Sequence, residues 1–458
     1  MSSRVRVVGV SHVLPATGAD GAAAGSPLLP DDHLLKLSFV DCLFVAVVPM
    51  QRLFFYQGPS VPAFPCVVNS LRSSLAAALR HFLPLAGKIA YYPPSSTAAG
   101  SGLVVDCSPG AVSPGVSFVE AQFAGTIADM RRVASGEEHD PEALARLGPE
   151  LEAGRLPAPV LAVQVTRPAD DHRGVVVGVS IHHAVADGHS VWQFMRAWSA
   201  VSRSSQGLVP RPTFDRAVIR HPEADELASK FLRTFAPALP MRVIIARVST
   251  KLYSQVRSSR PTLDLDQRRM MEQSVAIGKQ LDKHPSTYVA VSSPSTCWTS
   301  AAAANDDDDD TCYFLVPVDN RRSLPGVGEG YFGNCLSLSF ARAAARDLMR
   351  PDAGMAHAAA AIREVARETV ASPLRGAERW AEAYAGMPRE SFTPSGSSNR
   401  FMAYETDMGW GAPTQVELGS LSGKRMVLLL GAPNGAVQVT VALDHAHMDR
   451  FAANFMQT

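Results

Sequence analysis

The segment from Val175 to Val201 narrows the choice of fold more than any other part of this chain. It opens with a run of β-branched residues, which is typical of a buried strand: Val175, Val176, Val177, Val179 and Ile181. It closes with apolar residues at positions i, i+3, i+4 and i+7, which predict a helix: Val191, Phe194, Met195 and Trp198. Between them lies a short turn that carries two histidines, an aspartate and a glycine. Core strands seldom end in such a cluster, so this turn is the first candidate functional site.

Of the two histidines in the turn, His183 is the candidate catalytic residue. Because side chains alternate along a strand, His183 shares a face with Val179 and Ile181, and His182 points the other way. An imidazole at the end of an apolar face is held near neutral by desolvation, and a neutral imidazole can accept a proton near pH 7. We therefore predict that His183 is a general base and that His182 is structural. A satisfied core histidine is the alternative.

The same turn contains Asp187 and Gly188. The aspartate is placed to hydrogen-bond the His183 ring or to brace the turn. The glycine permits a backbone angle that other residues resist. An Asp-Gly pair is also a common turn signal, so an ordinary turn is the alternative reading.

Four segments together resemble the plant BAHD acyl-CoA-dependent acyltransferases. His183–Gly188 resembles the family's HxxxDG motif, which other CoA-dependent acyltransferases and peptide-synthetase condensation domains share. Asp407–Gly411 resembles the DFGWG motif, with Met408 in place of Phe. Tyr331–Cys335 matches the YFGNC motif of the clade that acylates anthocyanin and other phenolic glycosides. The chain's opening resembles that clade's signature, in Leu37–Asp41 and Pro49–Tyr56. The chain is thus identified as a member of this family and clade.

The resemblance implies an α/β fold of two similar lobes with mixed β-sheets and flanking helices, and an active-site channel between the lobes. A linker is indicated by Ser202–Pro212, which is rich in Ser, Arg, Gly and Pro. Phe214–Ile219 resembles the family's FDRSxI segment, found on the crossover between its halves. We therefore place an N-terminal lobe at 1–205, the crossover linker at 206–222 and a C-terminal lobe at 223–458.

The resemblance also implies a partner for Asp187. Arg321 lies in a segment similar to the family's VDxRxRL, where an arginine pairs with the motif aspartate. Carried over, this pair makes Asp187 structural, holding with Gly188 the loop that aims His183. Losing one partner of such a buried pair costs on the order of 3–5 kcal/mol, whereas a surface pair is worth almost nothing.

Further site residues follow from the other motifs. The resemblance makes Ser38 and Asp41 candidate lining or bracing residues on the acceptor side, and Tyr331 and Asn334 candidate channel residues. A core strand with one buried polar pair is the alternative for Ser38 and Asp41.

The DFGWG-like segment is predicted to form a rigid corner near the CoA channel. Its motif residues, read as architectural, are Asp407, Gly409, Trp410 and Gly411. A role for the Trp410 N–H in steadying an oxyanion is the alternative. Met408 fills apolar gaps adaptably, so we expect a small effect of its departure from Phe.

The predicted reaction is direct transfer of an acyl group from acyl-CoA to a hydroxyl of a flavonoid or phenolic glycoside, with His183 as the base. Acyl-CoA is a co-substrate, and neither a bound cofactor, a metal nor a covalent acyl-enzyme is required. The YFGNC-like motif favours malonyl-CoA, whose carboxylate needs a cation that the sequence does not identify. Hydroxycinnamoyl donors and amine acceptors are alternatives. A decayed relative that only binds CoA or a partner is another, since Pro294–Asn305 matches the family poorly.

Composition limits the protein's partners and compartment. Lys+Arg and Asp+Glu each number 43, which argues against nucleic-acid or anionic-membrane partners. The six cysteines include no CxxC pair, which predicts reduced cytosolic thiols. No stretch approaches the ~18 apolar residues of a membrane helix, and Met1–Val13 alternates like a strand rather than a signal peptide. The carboxylates of Asp306–Asp310 repel one another, so we expect no metal site there. We expect a cytoplasmic monomer.

Periodicity predicts further elements. The helix predictions are Asn69–Phe82, capped by Asn69 or Ser70, Lys251–Ser258, a helix that begins at Thr287–Ser292, and Met355–Val370. The strand predictions are Val243–Val248, Cys312–Val318, and a hairpin of Arg425–Leu430 and Val437–Leu443 that turns at Asn434-Gly435.

Overall fold

The protein is described from a computed structural model. The residues that the structure describes are 3–17, 33–93, 102–135, 140–171, 173–204, 211–239, 243, 256–259, 285–301, 310–419 and 425–444.

Strands occur throughout the described ranges and alternate with helices. In chain order they are β1 (Val5–Val13), β2 (Leu34–Lys36), β3 (Met50–Gln57), β4 (Lys88–Tyr92), β5 (Gly102–Asp106), β6 (Val116–Phe123), β7 (Ala158–Pro159), β8 (Leu161–Pro168), β9 (Gly174–Ile181), β10 (Val256–Ser259), β11 (Thr311–Asp319), β12 (Leu336–Ala344), β13 (Phe392–Thr393), β14 (Ser395–Ser398), β15 (Gln415–Leu418), β16 (Val427–Gly431) and β17 (Val437–Asp444).

The helices connect the strands along the chain. In chain order they are α1 (Phe39–Cys42), α2 (Phe64–Leu79), α3 (Pro109–Val112), α4 (Ile127–Ser135), α5 (Pro141–Leu147), α6 (Gly188–Ser202), α7 (Ala224–Phe235), α8 (Thr287–Ala301), α9 (Ala345–Leu348), α10 (Gly354–Ala371) and α11 (Trp380–Ala385).

The largest sheet joins both ends of the chain. Its strand order is β1-β6-β8-β9-β3-β15. The β6–β8 pair is parallel and the other pairs are antiparallel, so the sheet is mixed. Strand β15, from the last tenth of the chain, pairs with β3 through Val416 and Phe54. The C-terminal part of the chain therefore completes a sheet built from the N-terminal part.

Three smaller sheets complete the described architecture. Their strand orders are β2-β5-β4-β7, β10-β17-β16-β14 and β12-β11-β13. The last two come from the second half of the chain, and each contains one parallel pair, β14–β16 or β11–β13. This arrangement confirms the predicted α/β fold class with mixed sheets and flanking helices.

Helix α6 covers the face of the large sheet that carries the central apolar core. Phe54 of β3 meets Trp192 of α6 edge to face, with ring centroids 6.0 Å apart. Trp198 is fully buried, and its indole N–H donates to Ser74 of α2 at 3.0 Å. The predicted strand–turn–helix unit is thus confirmed, and α6 is fixed between the sheet and α2.

The structure corrects two element predictions, and part of a third falls on residues that it does not describe. Helix α2 begins at Phe64 rather than near Asn69, because Val67 and Val68 are buried as well. A helix at Lys251–Ser258 is wrong for its last residues, since they belong to strand β10, which pairs with β17; 251–255 lie outside the described residues. Of the predicted strand Val243–Val248, only the first residue is described.

Other predicted elements are confirmed. Helix α8 begins at Thr287 and continues past Pro294 as far as Ala301, although its composition matched the family pattern poorly; 302–305 lie outside the description. Strands β16 and β17 form the predicted hairpin, and Asn434 in its turn has a left-handed φ of 58°. Strand β11 and helix α10 also lie where periodicity placed them.

No helix within the described ranges has the length and apolar character needed to cross a membrane. Within the same ranges, no cluster of three or more His, Cys, Asp or Glu side chains is arranged to hold a metal ion. Most of the acidic run lies outside them, at 306–309. The cysteines whose side chains are described are all free thiols: Cys42, Cys66, Cys107, Cys312 and Cys335.

Candidate active site

The turn after β9 holds two histidines in different environments. His182 is fully buried, and its Nδ1 accepts a hydrogen bond from the Ala184 backbone N–H at 3.2 Å. Burial, with a smaller effect of His183, lowers the pKa of His182 to about 3. His182 is therefore a neutral residue that shapes the turn.

His183 is half-buried beneath an aromatic ring. Phe44 stacks on its imidazole, with centroids 4.4 Å apart and planes 8° from parallel. Its Nδ1 is buried and has no hydrogen-bond partner among the described residues. Burial lowers the pKa of His183 below its ordinary value, and the positive charge of Arg52 lowers it further, while the charge of Asp187 acts in the opposite sense. The imidazole is consequently neutral and able to accept a proton at pH 7.

Asp187 braces the turn and makes no hydrogen bond to the imidazole of His183. Its carboxylate forms a bidentate pair with Arg321, Nη1 to Oδ2 and Nη2 to Oδ1 both at 2.9 Å. It also accepts the Ser190 N–H at 2.9 Å, which caps α6, and the Cys335 N–H at 3.0 Å. Both partners of the pair are buried.

The pair is electrostatically self-consistent. Burial alone raises the pKa of Asp187, but the Arg321 charge and the hydrogen bonds outweigh it, so the pKa lies below its ordinary value. Burial likewise opposes the Arg321 charge, and Asp187 and Asp319 keep the pKa of Arg321 above its ordinary value. Both groups are therefore ionised at pH 7.

Arg321 also holds the YFGNC-like segment. Its Nε donates to the Tyr331 carbonyl at 3.2 Å, and its Nη2 donates to the Gly333 carbonyl at 2.9 Å. Ser190 Oγ accepts the Gly333 N–H at 2.9 Å. This one guanidinium thus joins the turn of the first half to a loop of the second.

The reason for Gly188 differs from the expected one. It opens α6 without a left-handed φ, so backbone freedom is not what the position requires. A Cβ built there lies 2.7 Å from the Phe401 ring. The close approach of this aromatic ring is what excludes a side chain.

Asp41 and Asn334 act on the backbone of the base. Asn334 donates from its N–H and Nδ2 to Asp41 Oδ1, at 3.0 and 2.9 Å, and from Nδ2 to the His183 carbonyl at 2.8 Å. Ser38 caps α1, donating its Oγ to Asp41 Oδ2 at 2.8 Å. All three of Ser38, Asp41 and Asn334 are buried. Their contacts match the bracing role rather than the lining role.

Arg216 is the site residue that sequence reasoning missed. Its guanidinium is buried, with Nε 3.0 Å from Asp41 Oδ2 in an ion pair and Nη2 donating to the Val185 carbonyl at 3.2 Å. Its Nη1 donates to the Phe332 carbonyl. The FDR-like segment was a visible signal, but nothing in a linker sequence indicates that its arginine is buried at the centre of the molecule. Nothing in the sequence around Phe44 indicated that its ring would stack on His183.

The DMGWG segment forms the predicted corner. Gly409 and Gly411 have left-handed φ values of 101° and 102°, and their N–H groups donate to Asp407 Oδ1 at 2.7 and 2.9 Å. The corner docks on the end of α6, where Ser199 donates to the Asp407 carbonyl at 2.7 Å. These turns require glycine, because other residues rarely adopt such φ values. The architectural role of the segment stays a prediction.

Trp410 packs within this corner. Its ring meets Tyr56 of β3 edge to face at 5.8 Å, and Ser60 donates to its carbonyl at 2.8 Å. Its indole nitrogen is buried without a hydrogen-bond partner in the described part of the chain. An oxyanion role for that N–H stays a prediction.

Comparison with known proteins places this site in a family context. A model of the Transferase family matches residues 25–458. Phenolic glucoside malonyltransferase 1 of Arabidopsis thaliana is 26% identical, over 98% of this chain and 96% of its own length. The malonyl-coenzyme:anthocyanin 5-O-glucoside-6'''-O-malonyltransferase of Salvia splendens is 28% identical, over 94% of this chain and 92% of its own.

The fold also matches a solved structure. The crystal structure of vinorine synthase superposes with a TM-score of 0.72 at 20% identity, covering 97% of this chain and 96% of that one. This likeness supports the fold and carries no argument about substrates.

We expect Arg321→Met to lower the free energy of unfolding by about 3–5 kcal/mol, because Asp187 is left as an unpaired buried charge. Since the pKa of Asp187 is lowered in the folded protein, the pair's contribution is present above the unfolded pKa of about 3.9 and is lost as pH falls through the folded pKa. Urea denaturation at pH 7 measures the loss. The adjacent Arg322→Met, which removes an exposed pair with Glu329, is the matched control and should change stability little. Equal losses in both variants would contradict the pair's importance.

We expect Gly333→Ala to displace the Arg216 guanidinium, because a Cβ there lies 2.5 Å from Arg216 Nη1. Overpacking of this kind costs about 1–3 kcal/mol. The control is Gly328→Ala in the same loop, where a Cβ meets nothing within 4 Å. Thermal denaturation of both variants distinguishes the two cases, and an unchanged midpoint for Gly333→Ala would show that the packing around Arg216 is loose.

Proposed function

Because the chain belongs to the Transferase family, the BAHD acyl-CoA-dependent acyltransferases, we propose that it transfers an acyl group from acyl-CoA to a hydroxyl of a phenolic or flavonoid glycoside. The observation that carries this proposal is the neutral His183 imidazole, stacked on Phe44 and fixed through Asn334. Relatives named as malonyltransferases of phenolic glucosides and of anthocyanins support the acceptor class.

His183 acts as the general base in this proposal. Its Nε2 removes the proton of the acceptor hydroxyl as that oxygen attacks the thioester carbonyl carbon. The tetrahedral intermediate collapses, the bond from carbon to sulfur breaks, and the CoA thiolate takes the proton back from the imidazolium. The products are an ester and free CoA, formed directly in a ternary complex.

The other site residues position this base. Asp187 and Arg321 hold the turn, with Gly188 allowing Phe401 to approach. Asp41 acts through Asn334 on the His183 carbonyl. They are positioning residues, since they hold the backbone around His183 and the reacting atoms meet the imidazole of His183.

The remaining site residues hold the segments around this turn and lie farther from His183: Ser38, Tyr331, Asp407, Gly409, Trp410 and Gly411.

Malonyl-CoA is the donor we propose, supported by the malonyltransferase names of the relatives. Hydroxycinnamoyl-CoA donors and amine acceptors are outcomes that a screen separates.

The division into an N-terminal lobe at 1–205, a linker at 206–222 and a C-terminal lobe at 223–458 stays a prediction. Strand β15 comes from the last of these ranges and pairs within the sheet formed by strands of the first. The cytoplasmic and monomeric state also stays a prediction.

A donor-by-acceptor screen of the purified protein tests the function, with CoA release and product mass as readouts. We expect malonyl transfer to a phenolic glucoside to dominate, and His183→Ala to reduce kcat by about 10²–10⁴-fold, the usual contribution of a general base. His357→Ala, on the exposed side of α10, is the control and should retain activity. Full activity of His183→Ala would refute the mechanism. CoA binding without release, under every acceptor tried, would favour a decayed relative.

The pH dependence of kcat reports the protonation state of the base. The ordinary pKa of a histidine is about 6.5. Because burial lowers the pKa of His183, its imidazole is still mostly neutral at that pH. We therefore expect kcat to be constant through pH 7 and to fall only at a pH below about 6.5, as the base becomes protonated. Stopped assays of malonyl transfer across the pH range measure this limb. A fall that begins above pH 7 would contradict a base in this environment.

A further inference from the structure

Arg52 differs from the other buried arginines of the described residues in having no counter-charge. It is buried, as are Arg216 and Arg321, but those two pair with Asp41 and Asp187. Among the described residues, no carboxylate lies within ion-pair distance of Arg52, and its burial is not offset by any charge. An unpaired buried charge is costly, so its presence in a fold calls for a physical reason.

The hydrogen-bonding capacity of Arg52 is only partly used. Its Nη1 donates to the Gln51 carbonyl at 2.7 Å. Its Nε is buried and has no acceptor in the described part of the chain. Burial lowers the pKa of Arg52 to about 10, which still leaves the guanidinium protonated at pH 7. The side chain is thus positively charged, and its Nε–H has no acceptor among the described residues.

Arg52 lies on the side of the sheet that faces the candidate active site. By strand alternation it shares a face of β3 with Phe54 and Tyr56, which contact Trp192 of α6 and Trp410. It pairs in register with Val179, four residues before His183. The charge of Arg52 reaches the base, since it lowers the pKa of His183.

We propose that Arg52 receives the free carboxylate of a dicarboxylic acyl-CoA such as malonyl-CoA, and so selects the donor. This rests on the proposed function and supplies the cation that such a donor requires. A guanidinium binds a carboxylate through two parallel hydrogen bonds, and the free Nε belongs to one edge of that fork. A neutral acyl group such as acetyl offers no partner for this charge.

The test compares donor binding rather than turnover. Dissociation constants for malonyl-CoA and acetyl-CoA are measured by calorimetry without acceptor, for the wild type, Arg52→Met and Arg52→Lys. We expect the wild type to bind malonyl-CoA at least tenfold more tightly than acetyl-CoA. Arg52→Met should abolish this preference, and Arg52→Lys should restore part of it, because a lysine keeps the charge but loses the fork.

Arg167→Met is the matched control. Arg167 also has a buried Nε without an acceptor among the described residues, but it lies over the Phe64 ring and away from His183. This variant should keep the malonyl preference. Thermal denaturation of Arg52→Met gives a second readout, since removing an unpaired buried charge should leave the midpoint unchanged or raise it.

The outcomes separate the two proposals. A wild type without malonyl preference, or an Arg52→Met variant that keeps it, would overturn the role of Arg52. The role would also be overturned if Arg52→Met had a lower melting midpoint and bound malonyl-CoA and acetyl-CoA equally less tightly. That result would indicate a structural arginine. If the donor preference depends on Arg52 but no acceptor yields product, the carboxylate site stands and the proposed function fails.

Discussion

The bidentate pair between Asp187 and Arg321 is the interaction on which the rest of the site depends. It lies in the interior, where each ion is stable only with the other present. Each oxygen of the carboxylate also accepts a backbone N–H. The guanidinium nitrogens also donate to backbone carbonyls, to Ser190 and to the Asp319 carboxylate. These hydrogen bonds hold the pair in a single geometry. They thereby also fix the turn that carries His183.

Side chains from distant segments hold the backbone carbonyls of the same turn. Asn334 binds the carbonyl of His183, and Arg216 binds that of Val185. Neither contact touches the imidazole, and both fix the direction in which it leaves the chain. The position of the base therefore depends on both halves of the chain, which meet at Arg216 and the carboxylate of Asp41.

Local pattern predicted much of this molecule, and tertiary contact decided the rest. The strand–turn–helix unit around His183 follows from periodicity, and family resemblance supplied Arg321 as the partner of Asp187. The start of α2 was misplaced because Val67 and Val68 are buried by elements far away in sequence. Strand β10 was misread as a helix because only its partner β17 makes it a strand. Arg216 and Phe44 were missed since the burial of a linker arginine and the stacking of a loop phenylalanine depend on the assembled fold.

The place of β15 has a consequence for the order in which the chain can be completed. Thr414 bonds to the carbonyl of Phe55 across 359 residues of sequence. Contacts of such separation carry a high entropic cost of loop closure and form late. During synthesis the edge of β3 therefore stays open, with its backbone groups exposed, until the segment Gln415–Leu418 has left the ribosome. In that interval the first half of the chain presents an unpaired strand edge, which is the kind of surface through which incomplete sheets associate with other chains.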